Sequence, residues 1–468
     1  MPLLIILYSL FFVLITWLRF RLSLFFLFLL LPTYLIRFNI GPLPTTLLEA
    51  MIWIIIAVWI VKRFQIYEFP AASGIPFWRD RFQILRHKIL FIGSFIFLVA
   101  ATASIFTSVD VRAAAGEWKA FYIEPFLIFI ILITTINNQQ STTKSLIFNL
   151  QSLILFALIL SGLATSLLAI YQHFTGFMVP YAFWENGNAF RVTGWYGFPN
   201  AVGLFLAPIV PIALYLLIQS FQRLKKRNWK LETGNWLTLV SSFLFLISSP
   251  LAIYFAKSTG GLAGLAAGIA LLLFFYKKTR LITIILLASG LLTLALLPAY
   301  NPIKKELTLQ DRSGQIRLSI YQETWQLLKD NPILGAGLAS YKEKIIPYHT
   351  AVNGEGIEIF HHPHNIFLTM WVGLGLTGLV GFLLIMVWFF KTGIIGVLKI
   401  KRLKDCKIKD NTSSFQSFNL SIFLLASMTA IVVTGLVDSP YIKNDLAILF
   451  WLLPALLIAT SYQQETSV

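Results

Sequence analysis

An all-α, polytopic membrane bundle of about twelve or thirteen transmembrane helices is the fold class this sequence predicts. Three observations carry that expectation. Of 468 residues, 57% are hydrophobic and 12% are charged, roughly half the charged share of a soluble chain of this size. Apolar runs long enough to cross a bilayer recur from end to end. Lys and Arg gather in every second connection between those runs.

The spans fall near 3–18, 22–36, 43–61, 89–107, 120–136, 146–171, 199–219, 237–255, 260–275, 281–297, 365–390, 418–437 and 445–462. The second is short and carries Pro32, which leaves the count at twelve or thirteen. The run Leu3 to Leu18 has no basic n-region before it and no small-residue cleavage site after it, so a retained helix is expected. Cys406 is the single cysteine, which excludes an intramolecular disulfide and any cysteine-cluster metal site. No stretch is long enough for a separate soluble domain, and no repeat of fixed period is visible.

The net charge of +17 is a topological signal. Connections 62–88, 220–236, 276–280 and 391–417 carry +4, +4, +3 and +5, whereas 108–119, 172–198, 298–364 and 438–444 each balance to zero. By the positive-inside rule the basic connections are cytoplasmic and the neutral ones face outward. The excess charge then lies against anionic lipid heads, so membrane lipids are the expected contact and nucleic acid is not a partner.

Four polar stretches therefore share the outer face: 172–198 with Arg191, a short turn with Lys257, the long loop 298–364, and 438–444 with Asp438. Within the long loop, Ser313 to Lys329 reads as an amphipathic helix, with Leu318, Tyr321, Trp325 and Leu328 at three- and four-residue spacing. Asp311 or Ser313 caps its start, Asn331-Pro332 ends it, and Gly335-Ala336-Gly337 permits a tight turn. Such a helix is expected on the outer membrane surface with that stripe down, and Arg317 at the stripe's edge reaching into the bundle mouth. The loop closes on Phe360-His361-His362-Pro363-His364-Asn365, which holds three of the six histidines.

Each of these residues also has an ordinary reading. Arg191 fits a snorkelling interfacial arginine, and Arg312 and Arg317 fit a solvated helix face. His361 and His362 fit surface loop positions, and His364-Asn365 fits a capping pair, since Asn is a good N-cap. Lys257 precedes Gly260-Gly261, a pattern of close helix packing. What favours chemistry is their shared face. Arginines bind phosphate bidentately, and a histidine takes a proton from a hydroxyl near neutral pH. There is no Walker loop and no dinucleotide fingerprint. A phosphorylated lipid donor on the outer face meets these conditions, and arginines can neutralise a departing pyrophosphate without a metal. No carboxylate or cysteine partners the histidines at metal-ligand spacing in sequence.

Arg191-Val192-Thr193-Gly194-Trp195-Tyr196-Gly197-Phe198-Pro199-Asn200, Ser258-Thr259-Gly260-Gly261, Arg317 with Trp325 and Asn331 to Gly337, and His364-Asn365-Ile366-Phe367-Leu368 with Gly373 to Gly378 stand in one order along the chain. This ordered set resembles the O-antigen ligase and polymerase family of integral-membrane glycosyltransferases, over roughly residues 190 to 390. The resemblance implies a core at 151–468 behind N-terminal helices at 1–150, with 298–364 as its catalytic loop. It implies a bacterial inner-membrane enzyme whose site faces the periplasm. An undecaprenyl-pyrophosphate-linked glycan would be the donor, a lipid- or glycan-bearing hydroxyl the acceptor, and no metal or cofactor would be required. By that likeness Arg191 and Arg317 hold pyrophosphate and His364 activates the acceptor, with Arg312, Lys257, His361, His362 and Asn365 as substrate-binding candidates. Thr259 departs from the family's Ser-Arg-Gly pattern, and Lys257 could reach the phosphate instead. Ligase, polymerase and protein-glycosylating activities all fit this donor. The competing class, an anionic-solute transporter, expects charged or unwound positions at the bilayer midplane in paired halves, and the spans show neither.

Overall fold

The computed structural model describes residues 2–41, 43–68, 87–139, 149–179, 184, 190–226, 233–298, 300–352, 355–356, 358–405 and 412–466. Cys406 and most of the basic connection 62–88 lie outside the described residues.

The helices in chain order are α1 (Pro2–Leu18), α2 (Phe20–Leu29), α3 (Leu47–Glu68), α4 (Lys88–Phe106), α5 (Val111–Glu117), α6 (Glu124–Gln139) and α7 (Leu150–Thr175). They continue as α8 (Asn200–Leu206), α9 (Ile209–Lys226), α10 (Thr233–Phe255), α11 (Thr259–Phe275), α12 (Lys277–Leu296) and α13 (Pro302–Leu307). The last five are α14 (Arg312–Asp330), α15 (Tyr341–Lys344), α16 (Ile366–Asp405), α17 (Thr412–Thr434) and α18 (Asn444–Thr466). A short hairpin, β1 (Arg37–Ile40) with β2 (Leu43–Thr46), joins α2 to α3. Among the described residues, 8 helical segments are long and apolar enough to cross a membrane. Four shorter apolar helices (Leu4–Leu18, Phe20–Leu29, Thr259–Phe275 and Leu420–Thr434) and the 22-residue α3 complete the polytopic bundle that the apolar runs predict.

Small residues set the packing where it matters for function. α16 lies along α4, where Gly93 and Gly381 bring the two backbones together: a Cβ on Gly381 would stand 2.7 Å from the Phe97 nitrogen. α11 lies along α17, with Gly264 and Gly268 facing the carbonyls of Ala430 and Ala426. Gly261 meets Gly203 of α8 so closely that a Cβ would approach the Gly203 Cα to 2.7 Å. In lipid, where helices gain no hydrophobic drive toward one another, such close approach supplies the van der Waals contact that holds them. The close packing expected of Gly260-Gly261 is therefore present, and it brings the start of α11 beside the start of α8.

Helix α14 forms as expected, and Asp311 caps it by accepting from the Ser313 and Gly314 N–H groups at 3.2 and 3.1 Å. Its buried face differs from the expected stripe. Ile320, Glu323, Thr324, Leu327 and Leu328 are buried, whereas Leu318 and Trp325 are exposed. The reason lies in the segment that follows. Residues 336–348 fold back and build a small core of Leu327, Leu328, Ala336, Tyr341, Ile345 and Val372. Glu323 enters this face because its carboxylate is satisfied there: it accepts from the Thr350 N–H at 2.9 Å and the Thr350 hydroxyl at 2.7 Å, and meets His349 at 3.3 Å. The tight turn at Gly335 to Gly337 is present too, both glycines with positive φ, and a Cβ on Gly335 would meet the Val372 carbonyl oxygen at 2.5 Å.

Candidate functional site

Arg191 is presented by the segment before α8. Gln172, buried at the end of α7, holds that segment by its backbone. Its Oε1 accepts from the Thr193 and Gly194 N–H groups at 3.0 and 2.8 Å, and its Nε2 donates to the Gly194 carbonyl at 2.9 Å. Gly194 takes φ +57°, which a glycine adopts at no steric cost. The Arg191 guanidinium then donates to the carbonyls of Ala256 (2.8 Å) and Lys257 (2.9 Å) and to Asn200 Oδ1 (2.7 Å), and stacks 5.5 Å above the Trp184 ring. Lys257 itself is exposed with φ +49°, a left-handed turn that sets its carbonyl toward Arg191.

Arg317 reaches inward from α14, as its position at the edge of that helix suggests. Nε donates to the Val437 carbonyl at 3.0 Å and one terminal nitrogen donates to the Ser313 hydroxyl at 2.7 Å. Arg191, Lys257 and Arg317 line one cavity of about 290 Å³ together with Asn200, Glu306 and Asp438. Burial and the facing Arg317 cation push the Arg191 guanidinium down to about 10, partly offset by Asp438, so it keeps its charge at neutral pH. Two like charges held toward one space repel, and an anion between them relieves that repulsion.

His364 does not line this cavity but meets Asp438, which does. The chain turns there through a left-handed φ of +49°, an uncommon conformation that histidine tolerates better than most residues. Asn365 follows as the N-cap of α16: its Oδ1 accepts from the Phe367 and Leu368 N–H groups at 3.0 and 3.1 Å, and its Nδ2 donates to the Leu436 carbonyl at 3.1 Å. The Tyr321 hydroxyl donates to the Leu436 carbonyl at 2.9 Å and lies 3.0 Å from the His364 carbonyl oxygen, clamping α14 to both loops. The His362 ring packs edge-on to His364 at 4.7 Å, and its Nδ1 accepts from the His364 N–H at 3.4 Å. Burial pushes His362 down to about 3, reinforced by the His364 charge, so it is neutral at physiological pH. His361 is exposed, and Arg312 is exposed at the start of α14 and does not line the cavity, although Asp311 and Ser313 on either side of it do.

Asp438 joins the two halves, and sequence reasoning places it on the shared face without giving it a role. It is buried, at 6% exposure. Oδ1 lies 3.4 Å from His364 Nδ1 and accepts from the Ser439 N–H at 2.8 Å; Oδ2 accepts from Asn200 Nδ2 at 3.0 Å. Burial works against its charge, but these hydrogen bonds and the adjacent imidazoles outweigh it and hold the carboxyl well below the usual range. An ionised carboxylate only accepts, so His364 Nδ1 carries the proton and Nε2 is left as the basic nitrogen. The chain Arg191–Asn200–Asp438–His364 is thus continuous. The signal in sequence is slender: Asp438 is the one acid of the neutral connection 438–444.

His362, His364 and Asp438 also bring three ligand-type atoms within 4.8 Å of one another, closer than their sequence spacing implies. Those three residues could hold a metal ion.

These elements define a class: a polytopic membrane protein with paired arginines at one cavity and a carboxylate-oriented histidine beside it. Residues 243–383 match the model of the family described as O-Antigen ligase. Among curated proteins, it is 23% identical over 343 residues to an uncharacterized protein of Haemophilus influenzae, covering 66% of this chain and 77% of that protein. It is 26% identical over 220 residues to a Rickettsia prowazekii protein named "Putative polysaccharide ligase", covering 45% of this chain and 53% of that protein. Together these matches support a membrane glycan-transfer enzyme.

Proposed function

We propose that this protein transfers a glycan from an undecaprenyl-pyrophosphate carrier to an acceptor hydroxyl on the outer face of the inner membrane, as an O-antigen ligase does. The observation that carries the reading is the single carboxylate, Asp438, tied to both His364 and, through Asn200, Arg191. The pyrophosphate lies between Arg191 and Arg317, whose fixed charges stabilise the negative charge that grows as it departs. Lys257 adds a third cation at the cavity edge.

His364 Nε2 takes the proton of the acceptor hydroxyl while that oxygen attacks the anomeric carbon. Asp438 keeps the imidazole in the required tautomer and stabilises the imidazolium that forms. A single displacement needs the nucleophile opposite the leaving group. That is consistent with a base standing outside the cavity that holds the leaving pyrophosphate, and it gives inversion at the anomeric carbon. The family description and the Rickettsia protein's name support ligation of a finished glycan over repeat-by-repeat polymerisation. Residues of this chain supply all of these roles, so the proposed step invokes no metal.

His364→Ala and Arg317→Ala are the test. Both should abolish glycan transfer in membranes that hold normal amounts of the protein. Transfer retained by both variants would overturn the site assignment.

A further inference from the structure

The cavity that holds the three cations has a second wall of opposite character. Thr259 at the start of α11 and Glu306 in α13 line it, and the Thr259 hydroxyl donates to the Glu306 carboxylate. Asp311 lines it as well, but its carboxylate is engaged in capping α14. Glu306 is exposed, accepts from that hydroxyl and lines the cavity. Thr259 is also the position where the chain departs from the Ser-Arg-Gly pattern. An arginine there would neutralise Glu306, whereas a threonine leaves it negative.

A carboxylate and a pyrophosphate repel; Asp438 is engaged by His364 and Asn200, so Glu306 is the carboxylate that the pyrophosphate must keep away from. With pyrophosphate on Arg191 and Arg317 and the apolar polyprenyl chain in lipid, the part of the donor that can face Glu306 is the uncharged polar group attached to the phosphate. In a lipid-linked glycan this is the first sugar. Sugar hydroxyls and acetamido N–H groups are donors, a carboxylate is a strong acceptor, and a neighbouring hydroxyl both donates and accepts. We propose that Glu306 and Thr259 form the recognition wall for the sugar bonded directly to pyrophosphate, and so decide which donors this chain accepts. The proposal rests on the transferase reading.

Full-length protein in lipid nanodiscs would be titrated with undecaprenyl pyrophosphate and with the same lipid bearing one hexose or one N-acetylhexosamine. Glu306→Ala should weaken binding of at least one sugar-bearing lipid by about 10-fold or more, the loss expected for a charge-assisted hydrogen bond. The sugarless lipid should bind as to wild type. Glu306→Gln, which keeps one acceptor, should fall between, and Thr259→Val should shift the same sugar-bearing lipid in the same direction if Glu306→Ala fails to fold. Equal tightening of all the lipids would make Glu306 a phosphate-repelling group only, and no change in any of them would remove it from the site; either result overturns the proposal. Failure of the transferase reading looks different: wild type would bind none of the lipids, or Arg317→Ala would bind them undiminished.

Discussion

His364 and Asp438 are 74 residues apart in sequence and meet at 3.4 Å, Nδ1 to Oδ1, with the carboxylate buried. The loop before α16 and the loop between α17 and α18 are thereby fastened to each other at the proposed base.

Asp438→Asn should keep a hydrogen bond with Asn200 or Ser439 but lose the charge that fixes the His364 tautomer. We expect turnover to fall by about 10²- to 10⁴-fold, the range for a general base and its orienting carboxylate. Donor affinity should change little. Steady-state transfer kinetics check this through kcat against KM; a loss confined to KM would place Asp438 in donor binding instead.

Arg191→Lys retains a cation but gives up the forked donor set that reaches Ala256, Lys257 and Asn200 together. The KM for the lipid-linked donor should rise by about 10-fold or more, and the thermal midpoint should fall as the Lys257 turn loses its partner. Arg317→Lys, with fewer internal bonds, should raise KM with a smaller drop in that midpoint. Donor titration and differential scanning fluorimetry on both variants separate the two effects.

Gly261→Val places a branched side chain where α8 and α11 touch. The overpacking should cost about 1–3 kcal/mol and shift the start of α11, carrying Lys257 and Ser258 away from Arg191. Reduced folded yield in detergent together with reduced transfer is the expected result. Gly290→Ala, on α12 with open space around the glycine, is the control that should change neither.

Acid should weaken the fold through His362. Its folded-state value, about 3, lies below the ordinary 6.5, so the unfolded chain takes the proton first. The contribution is complete above about 6.5 and declines as pH falls from there toward 3. Asp438 adds little between pH 7.5 and 5, because a depressed carboxylate keeps its contribution above its ordinary value of 3.8 and loses it as pH falls from there toward its lower folded value. Thermal midpoints at pH 7.5 and 5 should therefore diverge in wild type and converge in part in His362→Gln.

The helical layout is legible in the sequence because membrane spans announce themselves by length and apolarity: each expected span overlaps a helix here, although 22–36 runs on into a 3-10 turn at Leu31–Leu35 and 43–61 begins in the strand β2. Arg191, Lys257 and Arg317 are legible for a related reason: each is a cation in a polar stretch between apolar runs. The buried face of α14 is not. It depends on a satellite core made by residues 336–348, and on Glu323 finding partners in Thr350 and His349, neither of which a helical period reveals. Asp438 is hidden differently, since its importance comes wholly from what it touches across the fold.

Single-turnover transfer by His364→Ala, in protein first shown to bind the undecaprenyl-pyrophosphate-linked glycan, tests the central claim most directly. The account predicts donor binding within about twofold of wild type and transfer reduced by about 10²-fold or more. Transfer at the wild-type rate from that bound complex would contradict it.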